Sequence, residues 1–450
     1  MRRALHLSCL LSLTLGAVAP AQATTRLPVN DPDYSDQWGL DYVNAAEAWD
    51  ISTGAGVMIA VIDTGVSGSG DDGLANLVSG YDFVSGDYYA SDRDGNGTHV
   101  AGIINQSTQN SDGTAGLAYS AVILPIRACA TIDSDGASDC DDDDLVDAVD
   151  YAVAEGVDVI QLSASGLDYS EALADAVAAA WGAGVFVVAG AGNDGSDTLT
   201  WPAAYDGVVA VGALTESLDI AGFSTVSDDL QLLAPGEDIL AESFTTLRGG
   251  GNYQTRAVSG TSMAAAHVAA TAALLMSEGA SNQAALDAML ATTQSWWLDA
   301  PSAGGLDAAA ALEHHVALRE AACGGLVDDL SDDLSDVVTA LANAEYYGDI
   351  IGAYNLNWAS VGIETCTDEA LSHAEAAESA LMAYGDGDED QLVELYEQLN
   401  EADGDIGSSR FYTSVGGSSW LVQWTEYFLE DAHDGLAPIQ ERVGECLELS

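Results

Sequence analysis

Five continuous apolar runs stand out in the first half of the chain: GVMIAVIDTG (56–65), AVILPIRAC (121–129), GVDVIQLSASG (156–166), GVFVVAGAGN (184–193) and GVVAVGAL (207–214). A strand with one wet face alternates apolar and polar residues. An unbroken run is expected where both faces are covered, as in a parallel sheet with helices on each side. Between the runs lie amphipathic, Ala-rich segments, at 143–155 and 170–182, whose spacing predicts helices. The alternation predicts a doubly wound α/β sheet. Such sheets meet their ligands at the carboxyl ends of the strands, where Asp63, Ser163 and Asn193 lie.

Past residue 316 the pattern changes. LVDDLSDDLSDVVTALANAEYYGDII carries Leu and Val at helical spacing, and further helical stretches follow at 367–384 and 388–402. Residues 316–450 therefore read as a separate, smaller, acidic and mainly helical domain. At the other end, a basic MRR, an apolar ALHLSCLLSLTLGAVA and the small-x-small AQA (Ala21–Ala23) have the form of an export signal over 1–23. Residues 24–35 form a short lead-in, and 36–315 the main domain. The expectation is a secreted protein, extracellular or periplasmic, cleaved near Ala23 and not inserted in a membrane.

Charge narrows the choice of partners. The chain holds 72 acidic against 10 basic residues, all of the latter Arg, for a net charge of −62. Repulsion from phosphate excludes nucleic acid and anionic membranes as partners. The acids are interleaved with apolar residues, so they mark a solvated acidic surface on a folded chain. Five cysteines follow the signal segment. In an oxidising compartment Cys129 and Cys140 are expected to bridge their loop; two of Cys323, Cys366 and Cys446 could also pair, and spacing does not say which.

Three stretches carry candidate chemistry. AVIDTG puts Asp63 at a strand end, DGNGTHVAG puts His99 at a helix start, and SGTSMAAAHVA puts Ser262 at another. Each alone is most simply a cap or turn residue. Together, in the order Asp, His, Ser with separations of 36 and 163 residues, they resemble the subtilisin-like serine proteases (subtilases). The resemblance extends to NDPDYSDQWGLDYVNAAEAWD, WPAAYDGVVAVGA, LLAPGEDIL and GGLDAAAAL, covering about 30–315. It implies a three-layer subtilisin-like fold with a mostly parallel central sheet. It also implies a serine endopeptidase, acting as a monomer on protein or peptide substrates through an acyl-enzyme on Ser262. His99 would be the base, Asp63 would orient it, and Asn193, ending VVAGAGN, would donate to the oxyanion with the Ser262 N–H.

The chain also departs from the family. Ala266 stands where a Pro is usual. Asn96 stands where a second His is usual, three residues before His99. The substrate-binding strand reads Ser163-Ala164-Ser165-Gly166 in place of Ser-Leu-Gly-Gly. A catalytically impaired scaffold that binds peptides or proteins is the alternative these leave open. TIDSDGASDCDDDD (131–144) would line the S2 and S4 side with Asp139, Asp141 and Asp142, and Asp194 the S1 rim, which suggests a preference for basic residues near the scissile bond. Asp31, Asp72, Asn110 and Asp112 match positions that hold structural calcium in some subtilases; the chemistry itself needs no cofactor.

Overall fold

The computed structural model describes residues 29–68, 73, 74, 76–131, 138–165, 167–247, 250–294 and 303–323, with isolated positions at 337, 398, 402, 436 and 439. The export-signal segment, Asp72, Gly166, the Asp139 side chain and almost all of the expected helical domain lie outside the described residues.

Two short helices, α1 (Trp38–Tyr42) and α2 (Ala45–Ala48), lead into strand β1 (Met58–Asp63). Then come β2 (Tyr81–Asp82), α3 (Asn96–Asn105), β3 (Val122–Arg127), and a hairpin of β4 (Cys129–Thr131) and β5 (Ser138–Cys140). After it follow α4 (Asp142–Ala154), β6 (Val159–Leu162), α5 (Glu171–Gly182), β7 (Phe186–Gly190), β8 (Val209–Leu214) and β9 (Leu232–Pro235). A long hairpin of β10 (Ile239–Leu247) and β11 (Gly250–Val258) precedes α6 (Thr261–Met276), α7 (Asn282–Ala291), β12 (Gly304–Gly305) and α8 (Ala308–Cys323).

The main sheet has eight strands in the order β12-β9-β8-β7-β6-β1-β3-β2, and every pairing in it is parallel. All five apolar runs become central strands, and the two amphipathic segments become α4 and α5. Ile59 and Val61 of β1 enter one core cluster, and Ala60 and Ile62 the other. In β7, Phe186 and Val188 are likewise separated from Val187 and Ala189. A strand covered on both faces favours apolar residues at every position, with a polar one such as the buried Gln161 of β6 needing a hydrogen-bond partner, so the near-continuous apolar runs follow from three layers. The short edge strands β2 and β12 and the hairpin β10–β11 lacked such a signal.

Helix α6 is the central helix of its layer. Ala264, Ala265, Ala266, Ala269, Ala270, Ala272 and Ala273 are all fully buried, and the helix packs on α3 and on β6 to β9. Alanine side chains let the helix axis approach the sheet closely while keeping high helix propensity. That close approach carries the start of α6, and with it Ser262, to the carboxyl end of β7. Cys129 and Cys140 face one another across β4–β5 with Cα atoms 4.2 Å apart and are joined by the expected disulfide.

Candidate active site

Asp63 ends β1 and is fully buried. Its Oδ1 accepts a hydrogen bond from the Thr64 N–H at 2.6 Å, and the Ser163 hydroxyl at the end of β6 also donates to the carboxylate. Burial pushes the carboxyl up to about 7; the Ser163 and Thr64 donors oppose the rise, and the nearby Asp92 charge adds to it.

The loop before α3 is built to lie against this strand end. Asp92 is buried, and its Oδ1 accepts from the Thr64 hydroxyl and from the N–H groups of Asp94 and Gly95, each at 2.9 Å. Its Oδ2 accepts from the Thr98 N–H at 2.9 Å and the Thr98 hydroxyl at 2.6 Å, satisfying donors of the first helical turn that have no partner within the helix. Gly95 has φ +116°, a left-handed conformation that favours glycine. Gly97 passes so close to β1 that a Cβ there would overlap the Gly65 carbonyl oxygen.

This construction presents Asn96, the first residue of α3, to Asp63. The Asn96 Nδ2 donates to Asp63 Oδ2 at 2.8 Å, and Asn96 is half-buried. His99 lies one turn further along and has no exposure. Its Nε2–H donates to the Arg256 carbonyl at 3.2 Å, and its Nδ1 has no hydrogen-bond partner among the described residues. Burial pulls its pKa down to about 4, so the ring is neutral and sealed beneath the β10–β11 hairpin. The base role expected of His99 is therefore corrected. The ring makes no hydrogen bond to Asp63 or Ser262, and the residue that does contact Asp63 is Asn96. Sequence reasoning saw Asn96 as a departure and missed what it touches; the signal was the missing second His.

Ser262 follows Thr261 in the first turn of α6 and is half-buried, within reach of the surface. Asn193 is exposed just beyond β7, and its Oδ1 accepts from the Thr261 N–H at 2.8 Å and the Thr261 hydroxyl at 3.0 Å. Anchoring the oxygen turns the amide nitrogen outward. From the point a Cβ on Gly260 would occupy, Asn193 Nδ2 and the Ser262 N are each 3.9 Å away. Two donors thus lie near the side-chain-free Gly260, beside the positive end of a helix.

The predicted substrate-contact residues scatter more. Ser163 Oγ accepts from the Gln161 Nε2 at 2.9 Å and faces Asp63. Ala164 is buried and Ser165 is exposed. Asp141 is the N-cap of α4, accepting from the Asp143 N–H at 3.0 Å, and Asp142 sits in the first turn. Carboxylates there are favoured by the helix dipole. Asp194 is exposed and held below the usual carboxylate range by the Ser196 hydroxyl, with the Ser196 N–H and the Thr225 hydroxyl adding to it.

Of the expected calcium residues, Asp31 accepts from the Gln109 and Asn110 N–H groups at 2.8 and 3.0 Å. The Asn110 side chain in turn accepts from the Asp112 N–H at 2.9 Å. These three are brought into one loop and offer hard oxygens. Among the described residues no group of three His, Cys, Asp or Glu side chains could hold a metal.

Comparison with known proteins agrees with this architecture. The subtilase family model matches residues 54–316. The chain is 42% identical over 255 residues to the thermophilic serine proteinase of Bacillus sp. (strain AK1), covering 56% of this chain and 61% of that protein. It is 38% identical over 253 residues to thermitase of Thermoactinomyces vulgaris, covering 56% of this chain and 86% of thermitase. A solved protease from Pseudoalteromonas arctica PAMC 21717 superposes with a TM-score of 0.57 at 29% identity, over 63% of this chain and 98% of that one. With its parallel sheet and a family match over more than half of its length, the chain belongs to the subtilase family.

Proposed function

We propose that this domain engages an extended polypeptide at the Ser262 cleft and that its chemistry is acyl transfer from a peptide carbonyl to Ser262 Oγ. The observation that carries the reading is the pair of donors, Asn193 Nδ2 and the Ser262 N–H, each 3.9 Å from the point a Gly260 Cβ would occupy. As Oγ adds to the carbonyl carbon, its proton passes to water, since no described histidine bonds Ser262. Negative charge gathers on the carbonyl oxygen, and preorganised N–H donors stabilise it without reorganisation. Removing one such donor costs about 10²–10³ in turnover.

Ser163, Ala164, Ser165 and Gly166 would pair with the substrate backbone. The acids at Asp139, Asp142 and Asp194 would favour Arg or Lys beside the scissile bond. The protein would act outside the cytoplasm after removal of residues 1–23, as a monomer. Among the described residues no helix is long and apolar enough to cross a membrane. A calcium ion held by Asp31, Asp72, Asn110 and Asp112 would be structural, tying the lead-in to the 109–113 loop. A second reading, a peptide-binding subtilase with impaired hydrolysis, is favoured by Asn96 in the place beside Asp63.

The test is labelling of the purified chain with a fluorophosphonate, followed by hydrolysis of peptides matched except for charge at P1, P2 and P4. Slow labelling that Ser262→Ala abolishes and Asn193→Ala weakens is expected, with basic peptides preferred. Absence of labelling together with absence of polypeptide binding overturns the acyl-transfer reading; equal handling of acidic and basic peptides overturns the charge preference.

A further inference from the structure

We propose that position 96 is the proton-acceptor position of this cleft, and that Asn96 makes the domain a peptide-binding subtilase that hydrolyses almost nothing until that residue is exchanged for His. The inference rests on the reading of Ser262 as the acyl-transfer position. A serine hydroxyl needs a base that bridges it to an orienting carboxylate. Asp63 Oδ1 is occupied by the Thr64 N–H at 2.6 Å, and Oδ2 by the half-buried Asn96 at 2.8 Å. Among the described residues of α3, the side chain at 96 is thus the one that bonds the carboxylate, and it is the one with partial access to solvent where His99 has none.

Asparagine satisfies the carboxylate and stops there. Its Nδ2 stands the same number of bonds from Cα as the Nδ1 of a histidine, so it donates from the same place. The amide nitrogen has no basic lone pair, however, and beyond it there is no second nitrogen to face Ser262. The other described histidines are committed elsewhere. His99 is sealed against Arg256, His267 is buried with Nδ1 against the Met263 carbonyl at 2.8 Å, and His315 bonds the Glu278 carbonyl at 3.3 Å. His314, on α8, has none of these contacts but belongs to a helix packed on α2, α6 and α7, away from α3.

With Asn96→His the steps balance. The new ring accepts the Ser262 hydroxyl proton as the Oγ–carbon bond forms, and gives it to the amide nitrogen as the carbon–nitrogen bond breaks. A water then adds to the ester carbon while its proton passes to the ring, and that proton returns to Ser262 Oγ as the ester bond breaks. One peptide bond and one water become one carboxyl and one amine, and the ring ends as it began.

The experiment compares the full chain, Asn96→His, and Asn96→His combined with Ser262→Ala, using fluorescein-labelled casein and a fluorophosphonate, with circular dichroism and melting to confirm the fold. General acid–base catalysis is worth about 10²–10⁴-fold, so Asn96→His should raise kcat/KM by at least about 100-fold. The gain should increase with pH through the imidazole range, about 6–8, and vanish with Ser262→Ala. Asn96→Gly supplies a second arm: free imidazole should raise its rate saturably and leave the parent chain unchanged.

A parent chain already cleaving casein at a rate that Asn96→His does not raise overturns the proposal. So does a folded Asn96→His chain whose Ser262 labels without any gain in hydrolysis, an outcome that leaves the acyl-transfer reading standing. If no variant labels Ser262 or binds casein, that reading falls and takes this one with it.

Discussion

Asp63 without a cationic neighbour is a costly residue, and the cost has a sign. Its folded pKa, about 7, lies above the ordinary 3.8, chiefly because it is buried. Between those values the folded chain keeps a proton that the unfolded chain has released, so stability falls as pH rises through the window and stays lower above it. The buried rings of His99 and His267 act oppositely. Both are lowered from 6.5 to about 4 by burial, so the stability they contribute is full above 6.5 and is lost as pH falls toward 4. Asp63→Asn removes only the first effect. In urea titrations, the stability of Asp63→Asn relative to the parent should climb from pH 4 to 7 and then level off, whatever the constant offset between the two chains. A difference that is flat with pH would mean Asp63 stays ionised in the fold. The positions of Asp63, Ser262 and Asn193 were legible in the sequence because each ends or begins a strongly patterned element, while their roles were read from the subtilase resemblance.

At the level of elements, the loop from Asp92 to α3 decides what faces Asp63. Residues 96 and 99 are one turn apart, on one side of the helix and about 4.5 Å apart along its axis. A spacing argument therefore cannot tell which reaches the strand end. The choice is made by Asp92, whose five accepted hydrogen bonds clamp the helix start to Thr64, and by β10–β11, which closes over His99. Asp92→Ala leaves those donors buried and unpaired. It should lower unfolding free energy by roughly 3 kcal/mol, measured by chemical denaturation, and weaken fluorophosphonate labelling through the displaced loop. A change below about 0.5 kcal/mol would show that the glycines and the hairpin hold the loop without Asp92. The acidic run at 141–144 is partly a matter of α4 capping, which sequence alone had offered as a subsite lining.

At the level of the molecule, a net charge of −62 means strong self-repulsion in the folded state, which salt screens over about 10 Å at 0.1 M and 3 Å at 1 M. The melting temperature should rise from 0.05 to 1 M potassium chloride. At matched ionic strength, millimolar calcium against a chelator should raise it further if the loop at Asp31 and Asn110 holds the ion. Coincident melts with calcium and with chelator would remove calcium from the account, and a fall in melting temperature with salt would show that attractive surface pairs dominate instead.

The apolar runs by themselves determined the layered parallel sheet. A strand buried on both faces is apolar wherever no partner satisfies a polar side chain, and that constraint is written along the runs, with the paired Gln161 in β6 as an exception. The same local grammar marked the strand ends at Asp63 and Asn193, the helix start at Ser262 and the Cys129–Cys140 bridge, because these are local events; the roles proposed for the first three rested on the subtilase resemblance. Only the tertiary structure decided that Asn96 and not His99 meets Asp63. Helix α3 carries both residues on one side, and which turn reaches the strand end depends on how Asp92, Gly97 and the distant Arg256 hairpin pack, contacts between segments that no window of sequence contains.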